Sequence, residues 1–105
     1  IESNGMLFIS GQIPLVPTSM EIIEGDFEAR ARQVFTNLQA IAEAAGCDLN
    51  DAIKITVFLT DLKDFSKVNS VMEEFFVPPY AARAAVGVSS LPKDVDIEAD
   101  AILAV

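Results

Sequence analysis

Arg83 is the residue whose surroundings point most directly to chemistry. It is the only charged residue between Glu74 and Lys93, in a stretch otherwise made of small and apolar groups. A guanidinium stays protonated in proteins, and burying it without a partner is costly. Arg83 therefore requires an anionic partner, which is either an acid of this protein or the carboxylate or phosphate of a ligand. Its planar fork matches a carboxylate bidentately, and its alanine neighbours leave room for one.

Glu98 is the second candidate, on a predicted closing strand whose polar face also carries Asp96 and Asp100. If the strand of Arg83 pairs with this strand as a hairpin through residues 89–94, Glu98 and Arg83 address one pocket. A carboxylate beside a bound substrate can orient and activate water. The alternative interpretation is a solvated polar face, and the strand pattern does not distinguish the three acids.

Other candidates carry weaker signals. Ser10 and Gly11 read as a turn, although a glycine also lets the backbone come close to a ligand. Tyr80, the only tyrosine, is interpreted as an interface or loop aromatic rather than a proton donor. Asn69 is expected to face solvent from a helix. Cys47 has no basic neighbour in the sequence to lower its pKa, so a reactive thiolate is not expected.

Composition indicates one domain over residues 1–105 that associates with itself. The chain is 51% hydrophobic with a mean hydropathy of +0.39, which is rich for a small domain, and surplus apolar surface predicts a homo-oligomer. The net charge is -9, from 16 acids against 7 bases that are never clustered. The absence of a basic stripe argues against nucleic acid and anionic membrane surfaces as partners.

Histidine is absent and Cys47 is the single cysteine, which leaves few ligands for a transition metal and removes the usual general base. We therefore expect no transition-metal site. One cysteine forms no intramolecular disulfide, which fits a reducing, cytoplasmic location. No apolar run reaches transmembrane length and no signal peptide is visible. Because the sequence begins with Ile1 rather than Met, we expect the true N-terminus to be missing from it.

The first half of the chain predicts two strands and a helix. Met6–Ser10 reads as a buried strand, and Met20–Ile23 is expected to pair back on it as a long-looped hairpin. The helix is predicted to open at Asp26 as its N-cap and to end at Gly46 as its C-cap. An apolar stripe at helical spacing marks its buried face. That stripe consists of Phe27, Ala31, Val34, Leu38, Ile41 and Ala45, with Phe35 and Ala42 beside it.

The second half predicts a strand over Ile53–Thr60, a helix capped by Ser66 and ended by Pro78–Pro79, and strands over Ala82–Val88 and Val95–Val105. The resulting order is β-β-α-β-α-β-β. Two helices packed on one face of a mixed sheet make a two-layer α+β sandwich.

Four segments, in order along nearly the whole chain, together resemble the RidA/YjgF family. They are Ile9–Pro14, Val57–Leu62, Ala82–Val86 and Leu91–Ala99. The resemblance implies a chorismate-mutase-like α+β fold assembled as a homotrimer, with ligand pockets in the clefts between subunits. It also implies hydrolysis of reactive enamines and imines such as 2-aminoacrylate to 2-keto acids and ammonia, without metal or cofactor.

The resemblance further implies roles for individual residues. Arg83 would bind the substrate carboxylate, and Glu98 would position the attacking water. Backbone groups around Ala84 and Ala85, and around Ser10–Gly11 of a neighbouring subunit, would complete the pocket.

Two departures accompany the likeness. Many family members carry cysteine two residues after the arginine, where this chain has Ala85. The family's lead-in segment, with a tyrosine that closes the pocket, is not in this sequence. The alternative function is a non-catalytic trimer that binds small carboxylates such as 2-keto acids as a sensor in amino-acid metabolism. The RNA-directed role attached to some family names is disfavoured by the acidic charge and the absent histidine.

Overall fold

The chain folds into a five-stranded mixed sheet with two helices packed on one face, and a separate two-stranded ribbon. The computed structural model describes all 105 residues. This two-layer arrangement confirms the predicted α+β class. The strands are β1 (Glu2–Ser3), β2 (Met6–Gln12), β3 (Leu15–Val16), β4 (Glu21–Ile22), β5 (Ala52–Leu59), β6 (Ala82–Gly87) and β7 (Ile97–Ala104), and the helices are α1 (Phe27–Ala44) and α2 (Phe65–Phe75).

The order of strands in the sheet is β1-β2-β7-β5-β6. All neighbours are antiparallel except β5 and β6, which run parallel because α2 crosses over between them. The predicted hairpin between the strand of Arg83 and the closing strand is therefore wrong. The crossover places β6 at the free edge beside β5, while β7 lies between β2 and β5 at the centre of the sheet.

The predicted pairing of Met20–Ile23 with the first strand is also wrong. Glu21–Ile22 instead pairs with Leu15–Val16 as the β3–β4 ribbon. Both edges of β2 are already occupied, by β1 on one side and β7 on the other, so no position remains for a further strand.

Both helices bury an apolar face against β2, β5 and β7 in one cluster of 20 buried residues. The Asp26 side chain accepts a hydrogen bond from the backbone N–H of Ala29 (2.9 Å), which confirms it as the N-cap of α1. Gly46 follows the helix with a φ of 79°. Ser66 does not cap α2, since that helix begins at Phe65 directly after a short 3-10 turn. Neither helix combines the length and the apolar character that crossing a membrane requires.

The other face of the sheet has no helix on it and is largely apolar. Phe8 pairs with Ile102, and Val86 pairs with Phe58, so these four side chains stand on this face. Phe8 is 42% exposed and Val86 is 40% exposed. An apolar face of this kind on a small domain usually marks an interface.

Candidate functional site

Arg83 lies on the edge strand β6 and is held by neutral groups of α2. Its backbone partner Ile55 is fully buried beneath the helices, so Arg83 belongs to the helix-facing side of the sheet. Its Nη1 donates to Asn69 Oδ1 and lies 3.5 Å from Met72 Sδ. The guanidinium carbon stands 4.9 Å from the ring centroid of Phe65, a cation–π contact.

Arg83 is the only arginine of the chain without an acid partner. Arg30 donates from Nε and Nη2 to both oxygens of Asp96, at 2.9 and 2.8 Å, and Arg32 does the same to Glu74 at 2.8 Å each. The same Nε and Nη2 edge of Arg83 donates to no group of the chain. The chain therefore contains no internal ion pair for Arg83, and the edge that binds carboxylates elsewhere in this molecule is free.

A cavity of about 540 Å³ lies beside Arg83, between α2 and the segment leading into β6. Its volume suits a small organic ligand. Asn69 lines it and contacts Arg83, so the expectation that Asn69 faces solvent is wrong. The two residues are 14 positions apart, and nothing in the local pattern of the helix signals the contact. The lining residues are Asn69, Met72, Glu73, Phe76, Tyr80, Ala81 and Arg83.

Glu98 lies on the open face of the sheet, where its backbone partner on β5 is Phe58. Arg83 stands two strands away and on the helix-facing side. The expectation that both residues of one chain address a common pocket is therefore wrong, because it rested on the hairpin that the sheet order excludes. A site that uses both side chains needs two copies of the chain.

The structure does bring Glu98 together with Gly11 of β2, and Ser10 is the preceding residue of that strand. The Glu98 carboxyl group lies against the Cα of Gly11. Burial raises the pKa of Glu98, and the negative charge of Asp100 raises it further. Asp96 has a different role, since it is the partner of Arg30. The structure thus separates the three acids that the strand pattern could not.

Ala84 and Ala85 follow Arg83 on β6 and pair with Thr56 and Val57 of β5. No strand pairs with the other side of β6. One row of its backbone N–H and C=O groups therefore remains free for a ligand or a neighbouring subunit.

Cys47 and the acids offer no further centre of chemistry. Burial raises the pKa of the Cys47 thiol, and the charges of Asp51 and Glu2 act in the same direction, which opposes formation of a thiolate. No group of three His, Cys, Asp or Glu side chains comes together in a way that could hold a metal ion.

Fold and candidate site together define a class: a small α+β domain with an arginine that lacks an acid partner at a sheet edge and a half-buried glutamate on the opposite, uncovered face. A family model described as Endoribonuclease L-PSP matches residues 1–105. The chain belongs to this family, the RidA/YjgF family that its sequence segments resemble.

Individual relatives agree with this assignment. A RutC family protein of Pyrococcus horikoshii is 53% identical over 102 residues, covering 97% of this chain and 81% of the relative. A 2-iminobutanoate/2-iminopropanoate deaminase of Dermatophagoides farinae is 35% identical, covering 100% and 82%. Among solved structures, RidA of an Antarctic Psychrobacter has a TM-score of 0.95 at 47% identity, covering 100% and 85%. E. coli TdcF with bound serine has a TM-score of 0.91 at 41% identity, covering 100% and 84%.

Proposed function

We infer that this protein hydrolyses reactive enamines and imines that carry a carboxylate, such as 2-aminoacrylate, to 2-keto acids and ammonia. The observation that carries the proposal is the free Nε and Nη2 edge of Arg83, in a chain whose other two arginines each bind a carboxylate through that edge. Two similar proteins support it. One is named a 2-iminobutanoate/2-iminopropanoate deaminase, and another was crystallised with serine, itself a small carboxylate.

The active unit in this proposal is a homotrimer with sites between subunits. Arg83 and Glu98 face opposite sides of one sheet, so Arg83 of one subunit would meet Glu98, Ser10 and Gly11 of the next. The apolar open face around Phe8 and Val86 supports such an assembly. Sedimentation should give a mass three times the 11.3 kDa of the chain.

The chemistry requires positioning more than a strong nucleophile. An enamine first takes up a proton at carbon and releases one from nitrogen to become an imine, whose carbon is electrophilic. Arg83 would fix the carboxylate and so orient that carbon. Glu98 would accept a proton from a water molecule as the water oxygen bonds to the imine carbon. That proton then passes to nitrogen to give a carbinolamine. Its hydroxyl proton also moves to nitrogen as the carbon–nitrogen bond breaks, so ammonia leaves and the keto group forms.

The direct test generates 2-aminoacrylate in situ with a dehydratase and follows the decay of the imine. Because the imine also hydrolyses in water, the readout is the increase in decay rate with protein concentration. An increase supports the deaminase. A flat response together with clear binding of 2-ketobutyrate by calorimetry would instead establish the non-catalytic carboxylate binder.

A first prediction concerns Asn69, which holds Arg83 without neutralising it. Asn69→Ala removes a hydrogen bond to a charged group, worth about 1.5–3 kcal/mol, so KM for the imine should rise roughly 10- to 100-fold. Asn69→Asp keeps the acceptor but adds a charge that pairs with Arg83 and competes with the substrate carboxylate. We expect it to raise KM more than alanine does.

Ser70→Ala is the matched control, since the Ser70 hydroxyl bonds only to the carbonyl of Ser66 one turn earlier in the same helix. Its KM should equal that of the unaltered protein. Unchanged 2-ketobutyrate affinity in Asn69→Asp would contradict the role given to Asn69.

A further inference from the structure

Position 11 needs glycine because a side chain there would have no space, and not because of the backbone angles. Its φ lies outside the left-handed region that favours glycine. A Cβ added to it would lie 2.8 Å from Cδ of Glu98 and closer still to Oε2. Gly87 on β6 is the useful comparison. The atoms nearest to a Cβ there would be side-chain atoms of Leu62, at 3.3 to 3.8 Å.

A β-bulge produces this contact. Ile9 pairs with Ala101 and Gln12 pairs with Ala99, so two residues of β2, Ser10 and Gly11, face the single residue between them on β7. The extra residue bends the strand and re-aims its backbone. The Glu98 carboxyl group then lies against Gly11, the one residue of β2 that has no side chain.

We propose that Gly11 is a positioning residue, whose bare Cα forms the seat that holds the Glu98 carboxyl group in place over the β2 bulge. The catalytic consequence rests on the proposed function, whereas the seat itself rests on the geometry alone. An added methyl group would collide with the mobile end of a side chain and not with backbone. Gly11→Ala should therefore fold normally and displace the carboxylate.

The seat also sets the electrostatic environment of Glu98. Its partner across the sheet, Phe58 on β5, carries no charge, while Asp100 on its own strand and Lys54 farther along β5 are the charged residues of this face. Burial is the main cause of the raised pKa. A carboxylate pushed off the seat toward water should regain an ordinary pKa.

The experiment compares Gly11→Ala with Gly87→Ala in the full chain. Displacing a catalytic group by about 1 Å can cost roughly 100-fold, so kcat should fall by that order in Gly11→Ala while KM changes little. In the pH profile of kcat for Gly11→Ala, the acid limb should move to lower pH. Carbon-13 NMR titration of the Glu98 carboxyl group should show the same shift, and Gly87→Ala should show neither change.

A double-mutant cycle completes the test. Glu98→Asp shortens the side chain by one methylene, which draws the carboxyl group back from the place that a Cβ on residue 11 would occupy. Adding Gly11→Ala to Glu98→Asp should lower kcat by a much smaller factor than Gly11→Ala does alone. An equal loss of kcat in both backgrounds would contradict the positioning role of Gly11. An unchanged titration of Glu98 in Gly11→Ala would contradict it as well. If the unaltered protein shows no turnover, the proposed function is wrong. The NMR titration still tests whether Gly11 holds the Glu98 carboxyl group in place.

Discussion

Replacing Arg83 with alanine is expected to reduce kcat/KM for imine hydrolysis by roughly 100- to 10,000-fold, because two charge-assisted hydrogen bonds of about 1.5–3 kcal/mol each are lost. The loss should appear in binding as well as in catalysis, since the same bonds hold the product carboxylate. Calorimetry with 2-ketobutyrate should therefore show no measurable affinity. The assay is the in situ generation of 2-aminoacrylate with direct observation of its decay.

Two comparisons make this result specific. Arg83→Lys keeps the positive charge but loses the planar fork, so its kcat/KM should lie between those of alanine and the unaltered protein. Arg32→Ala removes the same type of side chain from the exposed Glu74 pair and should leave kcat/KM unchanged. Full turnover in Arg83→Ala would exclude the carboxylate clamp.

The fold of Arg83→Ala should remain intact. Arg83 is exposed in the single chain and its contacts are to Asn69, Met72 and Phe65, none of them charged. Surface substitutions of this kind usually change stability by about 0.5 kcal/mol or less. Circular dichroism and sedimentation should match the unaltered protein, which separates loss of the site from loss of the structure.

Local patterns predicted the elements well but could not predict their neighbours. The α1 helix and its Asp26 cap follow from spacing and residue type alone, and the β5 and β7 strands follow from alternation. Pairing is a non-local choice. Residues 89–94 look like a hairpin turn, yet the parallel crossover through α2 fixes β6 at the edge, and β7 takes the centre.

The predicted common pocket of Arg83 and Glu98 within one chain was wrong for the same reason. Arg83 and Glu98 were chosen by residue type, and the structure gives each a setting that fits its proposed role. Their placement on opposite faces depends on strand order, which sequence spacing does not encode. Asn69 and the seat at Gly11 were invisible as partners because their contacts join different elements. Both contacts depend on tertiary packing, of α2 against β6 in one case and of β2 against β7 in the other.

Replacing Glu98 with glutamine is the second prediction with a large effect. Loss of a general base costs about 100- to 10,000-fold, so kcat should fall by that order while 2-ketobutyrate still binds. Asp100→Asn is the matched control, because it removes the same charge from the same face. It should retain activity and move the acid limb to lower pH, since the Asp100 charge helps raise the pKa of Glu98.

Glu98→Gln should raise the stability of the protein while it lowers the activity. The pKa of Glu98 is raised above its ordinary value of 4.5 mainly by burial, so the folded chain holds a proton that the unfolded chain releases between the two values. Stability is therefore lost as pH rises through that interval, and Glu98→Gln removes the loss. Its Tm should exceed that of the unaltered protein at neutral pH, and the difference should vanish in acid, where Glu98 is neutral in both states. A lower Tm, or dissociation of the assembly, would make Glu98 a structural residue. A stabilised but inactive protein would show that this carboxylate is kept on the sheet for its chemistry.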